Sequence, residues 1–290
     1  MQTTRTPPIQ VVSSIGPHTA SKEAWLVDIW GVMHNGVTPF TAAVAACEKF
    51  RDGGGTVLLL SNAPRPASGV AAQLDRIGVA RTAWDAIISS GDAARALVAQ
   101  HAPGPVFHLG PERDLPLYEG LGVKLGHPET ASCIVCTGLF DDETETPADY
   151  AAVLQACAAR HLPMVCANPD LTVERGGKII YCAGAVAAAY EAMGGAVTYA
   201  GKPYLPVYDM AFSELARLRG NGVERDAVLA IGDGIRTDIA GAANAGIQSI
   251  YIASGVHLGA GGRLDADTLA KLFPPGSPQP TAAMTGLAWG

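Results

Sequence analysis

Charge is scarce in this sequence. Only 16% of its 290 residues are Asp, Glu, Lys or Arg, and the formal net charge is −7. No run of Lys and Arg stands along the chain, so the electrostatic footprint of a nucleic-acid-binding protein is missing. Hydrophobic residues make up 48%, yet no apolar run reaches the roughly 18 residues of a membrane helix. Arg5 near the start is followed by no apolar segment before Pro17, so no secretory signal is expected. The six cysteines (47, 133, 136, 157, 166 and 182) sit mostly inside apolar stretches, where a free thiol behaves as a small hydrophobe. A reducing cytoplasm is the expected location. Cys133-Ile134-Val135-Cys136 is a lone CxxC without the second pair of a zinc site. Asp141-Asp142-Glu143 lacks the twelve-residue calcium-loop pattern and reads as a solvated turn. These absences leave a soluble globular chain of one large domain or two modest ones, with no nucleic acid and no membrane among its partners.

What is present is an alternation of apolar strands and helical stretches. Ala24 to Ile29 has strand length and carries Asp28 at its end. Pro39 to Asp52 has helical spacing and is stopped by Gly53-Gly54-Gly55. That triplet precedes a strand, whereas a phosphate loop follows one. Thr56 to Leu60 is a second buried strand, ending on Ser61-Asn62, and Pro64 and Pro66 open a helix to Ile77. A small polar pair between a strand and a helix N-terminus is a natural phosphate position. From Ile87-Ile88 a second α/β unit begins, with Ser89-Ser90-Gly91-Asp92 as a helix cap. Its strands are Val106–Gly110, Ile134–Thr137 and Met164–Ala167, the last ending on Asn168-Pro169-Asp170. Pro147 starts a helix to His161, and Val173 to Ile180 reads as a hairpin. The first unit resumes near Val197-Thr198-Tyr199, followed by Gly201-Lys202-Pro203. A helix over Tyr208–Arg219, a strand over Ala227–Ile231, the loop Gly232-Asp233-Gly234 to Asp238, a helix from Ile239 and a strand over Gln248–Ile252 complete it. The proline-containing tail from Phe273 is expected to be extended and to dock by Leu287-Ala288-Trp289. Alternating βα pieces predict a parallel sheet. The expected fold is α/β, a Rossmann-like core of residues 1–85 and 199–290 with an inserted α/β cap of residues 86–198.

Four strand-end signals carry chemistry: Asp28, Ser61-Asn62, Lys202, and Asp233 with Asp238. In an open parallel sheet, reactive groups sit just past the carboxyl ends of the strands. Carboxylates gathered at one such edge repel each other unless a divalent cation lies between them. A small set of oxygen ligands suits Mg²⁺, which keeps several waters and takes the rest from carboxylates and substrate phosphate. Lysine, hydroxyl and amide supply charge and donors for phosphoryl oxygens.

The ordered set Asp28, Ser61, Lys202 and Asp233 with Asp238 resembles the haloacid dehalogenase superfamily of aspartate-nucleophile hydrolases. The large insert, Asn168-Pro169-Asp170 and Gly201-Lys202-Pro203 resemble its class IIA members, which are commonly phosphatases of small metabolites. The resemblance covers about residues 20–260. It implies Asp28 as nucleophile, and Mg²⁺ on Asp28, Asp233 and the backbone carbonyl of Trp30. It implies phosphate binding by Ser61, Asn62 and Lys202, an orienting role for Asp238, and a substrate-selecting cap to which Asn168 and Asp170 could contribute. The implied partner is a small phosphorylated metabolite; the one protein partner considered is a second copy, as a homodimer.

One position departs from the family. Its phosphatases carry a second aspartate two residues after the nucleophile, to protonate the leaving group. Here that residue is Trp30, and an indole N–H only donates a hydrogen bond. General acid–base catalysis is worth about 10²–10⁴-fold, so alkyl phosphates should turn over slowly. His34 is the nearest substitute in sequence, with a turn-forming role as the alternative. Three readings follow: a slow or specialised phosphatase, a dehalogenase-like hydrolase that needs no acid, or a protein that binds a phosphometabolite without turnover.

Overall fold

The structure, a computed structural model, describes residues 9–175, 178–253 and 263–290. The chain forms two compact units. The first gathers the described residues of Met1–Leu59, Val79–Ala86 and Phe212–Gly290; the second comprises those of Leu60–Gly78 and Ile87–Ala211. The fold is the expected mixed α/β type.

In chain order the elements that position the site begin with β1 (Gln10–Val11), β2 (Ala24–Val27), α1 (Thr41–Asp52), β3 (Thr56–Ser61), α2 (Ala67–Ile77), β4 (Ala86–Ser89) and α3 (Ser90–Ala99). Then come β5 (Pro105–Leu109), β6 (Lys124–Leu125), β7 (Cys133–Cys136), α4 (Ala151–Ala159) and β8 (Met164–Cys166). β9 (Thr172–Arg175), β10 (Lys178–Tyr181), α5 (Ala183–Ala192), β11 (Val197–Tyr199) and α6 (Leu205–Arg219) follow. β12 (Val228–Gly232), α7 (Ala240–Ala245), β13 (Gln248–Ile252) and β14 (Ala282–Met284) complete the set.

The larger sheet has the order β1-β14-β13-β12-β2-β3-β4. From β1 to β3 every pairing is parallel. β2 is central, and all four of its residues are buried. This is why it reads as an unbroken apolar run and not as an alternation. The Asp28 N–H donates to the Ile231 carbonyl at 2.8 Å, which extends the ladder by one residue and fixes where the acid leaves the sheet. Below it, Trp25 stacks on Phe50 at 4.1 Å and lies 6.1 Å from Trp289, so the chain's end does dock on this core. Each fully buried side chain of this kind contributes about 1.5–3 kcal/mol.

The second sheet has the order β11-β8-β7-β5-β6, and all its pairings are parallel. Its helices bury Leu154, Cys157, Val186 and Tyr190 against it. β9 and β10 form the expected antiparallel hairpin. All six cysteines are free and buried. Burial pushes the thiols of Cys133 and Cys136 up to about 11 and about 12, so the CxxC is packing material. Among the described residues no helix is long and apolar enough to cross a membrane.

Three strands stand elsewhere than the sequence suggests. β4, placed at the start of the insert, is the last strand of the larger sheet. β11, read as the resumption of the first unit, pairs with β8 in the second sheet. The tail supplies a full strand, β14, between β1 and β13. Apolar runs report burial, and the same run fits either sheet. The short Ala282–Met284 carries too little pattern to be distinguished from docked coil.

Candidate active site

The carboxylate cluster lies in the first unit. Asp28 follows β2, and Asp233 and Asp238 follow β12, its parallel neighbour. One oxygen from each of the three lies within 4.8 Å of the others. Asp28 and Asp238 are buried, and Asp233 is half-buried. Two glycine-rich turns make this approach possible. Gly31 has φ +84°, and a β-carbon there would run into Asp233 Oδ2 and sit 2.7 Å from Cγ. A β-carbon at Gly232 would lie 2.5 Å from Asp238 Oδ2. The Gly234 N–H donates to that same oxygen at 2.9 Å, while the Asp238 N–H donates back to the Gly234 carbonyl at 2.8 Å. The turn of π-helix over Ile235–Ile239 carries Asp238 inward. Such single turns mark functional positions in many proteins. Three carboxylates so close need neutralising, and hard oxygen donors in small number fit Mg²⁺.

Trp30 and His34 form the turn beyond Asp28. The Trp30 ring covers Gly36, where a β-carbon would lie 2.7 Å from the indole, and it meets the His34 ring edge-on at 5.2 Å. His34 is 1% exposed, and its Nδ1 accepts the Gly36 N–H at 2.8 Å. Burial pushes its imidazole down to about 4, so it is neutral at pH 7 and props the turn.

A second group of candidates lies in the second unit. Lys202 is 2% exposed, and its Nζ donates to the Leu60 carbonyl at 2.9 Å. Asn62 links three of the predicted positions. Its Oδ1 accepts the Lys202 N–H at 2.8 Å, and its Nδ2 donates to the Lys202 carbonyl at 3.2 Å and to Asp170 Oδ1 at 2.9 Å. Gly201 is the only residue type that fits here, because a β-carbon would meet Asn62 Oδ1, with Ser90 Oγ at 2.7 Å and Pro169 at 2.9 Å. Ser61 Oγ accepts the Ala63 N–H at 3.1 Å, which shapes the loop after β3. Asn168 accepts the Asp170 N–H at 3.0 Å and caps its own turn, so of this pair it is Asp170 that reaches Asn62.

Helix α3 braces the same loop. Ser89 and Asp92 form a reciprocal capping box, and the Asp92 carboxylate also accepts the Ala67 N–H at 3.2 Å. The Gly91 N–H donates to the Ala63 carbonyl at 3.0 Å, and a β-carbon at Gly91 would lie 2.6 Å from the Arg65 nitrogen. Arg65 itself is a residue that the motifs do not single out, although it stands only three positions after Asn62.

Comparison with known proteins bears on this geometry. The family model for haloacid dehalogenase-like hydrolases matches residues 25–124, and a HAD-hydrolase-like model matches residues 199–272. A crystal structure of a haloacid dehalogenase-like family hydrolase from Brucella suis 1330 is 41% identical, with a TM-score of 0.85, over 95% of this chain and 99% of that one. The chain belongs to the haloacid dehalogenase-like hydrolase family. A possible sugar phosphatase of this superfamily from Cytophaga hutchinsonii shares the fold, with a TM-score of 0.77 at 21% identity over 96% of this chain and 98% of that one. A D-glycerol 3-phosphate phosphatase of Mycobacterium tuberculosis is 32% identical over 236 residues, which is 80% of this chain. The chain spans 63% of the length of that curated relative. The family recognised from Asp28, Ser61, Lys202, Asp233 and Asp238 is therefore the right one, and with it the α/β core-and-insert architecture.

Proposed function

We propose that this chain is a Mg²⁺-dependent phosphatase of small phosphorylated metabolites. The observation that carries this reading is the convergence of Asp28, Asp233 and Asp238 oxygens within 4.8 Å. The likeness to a D-glycerol 3-phosphate phosphatase supports it. On this reading Asp28 and Asp233, with the Trp30 carbonyl, hold the ion, which supplies charge neutralisation for the phosphoryl oxygens. Asp238 steadies the Gly232–Gly234 turn from which Asp233 projects. Ser61, Asn62 and Lys202 bind the phosphate. An Asp28 carboxylate oxygen attacks phosphorus as the bond to the leaving oxygen breaks, which gives an acyl phosphate. Water then attacks that phosphorus, and the Asp28 carboxylate and inorganic phosphate are released. The inserted α/β unit selects the substrate, and the protein works in the cytoplasm.

The leaving oxygen needs a proton, and no carboxylic acid stands at position 30. His34, neutral with its Nδ1 engaged, does not replace it. Turnover therefore follows the leaving group: fast for a phenolate, slow for an alkoxide. The Trp30 indole also favours a second reading, binding of a phosphometabolite without hydrolysis. Hydrolysis of 4-nitrophenyl phosphate separates the two. We expect phosphate release that needs Mg²⁺, stops with a chelator and is abolished in a folded Asp28→Asn variant. Residual activity in that variant would remove Asp28 from the chemistry, and no release by the parent would leave the binding reading.

A further inference from the structure

The turn that follows Asp28 is tightly closed and apolar. The Met33 N–H donates to the Ile29 carbonyl at 2.8 Å, and the Gly31 N–H donates to the His34 carbonyl at 2.8 Å. The Phe40 N–H donates to the Met33 carbonyl at 2.8 Å and ties the turn to the start of α1. Ile29, Val32 and Met33 are buried, none more than 3% exposed, and Asp28 itself is 8% exposed. The Trp30 indole is laid across Gly36, whose φ of +91° and close ring contact suit glycine alone. Apart from the indole N–H, His34 is the one polar side chain among residues 29–34. The chain that leaves the nucleophile therefore surrounds itself with groups that neither bind water nor move a proton.

Hydrolysis through Asp28 has two steps, and each asks for a proton to move. An alkoxide needs one as it leaves, and the attacking water must lose one in the second step. The Trp30 indole N–H donates a hydrogen bond and takes no proton. His34 Nδ1 accepts the Gly36 N–H at 2.8 Å. An imidazole that accepts at Nδ1 carries its own proton on Nε2, so neither nitrogen has a lone pair for water. Asp238 spends Oδ2 on the Gly234 N–H at 2.9 Å. Asp233 and Asp238 both belong to the carboxylate cluster, and carboxylates that share a cation are weakened as bases. A donor can escape the first demand. An acyl phosphate releases a carboxylate, which is stable without a proton. Transfer from one acyl phosphate to another is also nearly balanced in free energy, whereas transfer from an alkyl ester to a carboxylate is uphill. No donor escapes the second demand, because the water is the same for all of them.

We propose that Asp28 takes a phosphoryl group from acyl phosphates and retains it, so that the chain accumulates as an aspartyl phosphate. An Asp28 carboxylate oxygen forms the bond to phosphorus as the bond from phosphorus to the donor's acyl oxygen breaks. The electron pair leaves with the donor as its carboxylate, and no proton moves. The same step run backwards hands the group to a carboxylate, so the chain is a phosphoryl carrier between carboxylic acids and only slowly a hydrolase. Turnover follows the leaving group while the first step is the slower one. For aryl and acyl phosphates the second step is slower and sets one common rate. This inference rests on the phosphatase reading for the nucleophile, and it departs from that reading in the fate of the phosphoryl group.

The test mixes the full chain with acetyl phosphate and Mg²⁺, quenches in acid and measures the intact mass. We expect most chains to gain the mass of one phosphoryl group, with no gain in Asp28→Asn or in the presence of a chelator. Hydroxylamine, which discharges acyl phosphates, should remove the group. With 4-nitrophenyl phosphate, a burst of about one nitrophenolate per chain should precede slow steady release. That steady rate should equal the rate of phosphate release from acetyl phosphate. Ethyl phosphate should label the chain at least about tenfold more slowly, for want of an acid. Trp30→Asp, which returns a base to the turn, should cut the labelled fraction by about tenfold or more. If that variant does not fold, the burst and the common steady rate decide in the parent. Linear release with no burst and no labelled chain would overturn the inference and leave the phosphatase reading intact. Labelling by ethyl phosphate as fast as by acetyl phosphate, or labelling of Asp28→Asn, would also overturn it. A labelled chain that releases no phosphate would uphold the inference and end the phosphatase reading, and a folded parent with neither label nor release would end both.

Discussion

Replacing Gly31 by alanine tests how the carboxylate cluster is held. At φ +84° an alanine meets the left-handed penalty of about 1–2 kcal/mol. Its β-carbon also invades the space of Asp233, whose Cγ would be 2.7 Å away. Ordinary carbon contact begins at about 3.5 Å, so the carboxylate must retreat by roughly 0.8 Å. Overpacking of that kind adds about 1–3 kcal/mol, which brings the expected loss of stability to about 2–5 kcal/mol. Gly78 is the control. It ends α2 with φ +94°, and a β-carbon there would have nothing within 4 Å. Gly78→Ala should therefore show the backbone penalty alone, and leave Mg²⁺ binding untouched. We expect Gly31→Ala to lose more stability than Gly78→Ala in chemical denaturation. It should also bind Mg²⁺ more weakly by calorimetry and lose about 10²-fold in turnover, the usual cost of misplacing a reacting group by about 1 Å. Equal stability losses for the two variants, with unchanged Mg²⁺ affinity at Gly31→Ala, would refute both the packing argument and the assignment of Asp233 to the ion.

Other outcomes follow from the same geometry. Lys202→Ala should weaken inhibition by vanadate, a phosphate mimic, and unchanged inhibition would remove Lys202 from the phosphate site. Trp30→Asp should raise turnover of alkyl phosphates more than that of aryl phosphates, by up to the roughly 10²–10⁴-fold of general acid catalysis; a stable variant with no gain on any ester would overturn the missing-acid account. Burial, partly offset by Arg65, raises the pKa of Asp114. A raised carboxyl contributes stability in acid that is lost as pH rises through its folded pKa. Asp114→Asn should therefore stabilise the fold at pH 7 relative to the parent, and that gain should shrink towards pH 4 in denaturation curves. A variant that is less stable at pH 7 than at pH 4, relative to the parent, would reverse the sign of this argument.

Much of this was legible in the sequence for one reason. Parallel strands buried on both faces are unbroken apolar runs, so a charged or small polar residue at their end stands out. Asp28 after Trp25-Leu26-Val27, Ser61 after Val57 to Leu60, and Asp233 after Val228 to Gly232 are all of this type, and the structure draws Asp28, Asp233 and Asp238 together. Partnership is harder to read than burial. Val197-Thr198-Tyr199 has the same pattern whether it joins the larger sheet or pairs with β8, and only the fold decides for β8. His34 reads as a nearby proton source because sequence shows proximity but not the Gly36 N–H that occupies its Nδ1.

The arginines are harder still to read. Arg65, Arg113 and Arg175 stand in three loops or strand ends, with no basic run around any of them. A basic run is the signal that a charged track along a phosphate backbone would leave in a sequence, whereas charges gathered from separate elements leave none. Guanidiniums from separate elements can be brought together by the fold from places far apart in the chain. Here Arg65 follows β3, Arg113 follows β5 and Arg175 stands on β9, and Asp114 and Asp142 lie against them. Low charge density along the chain is therefore compatible with a local gathering of charge, which is a property of the fold.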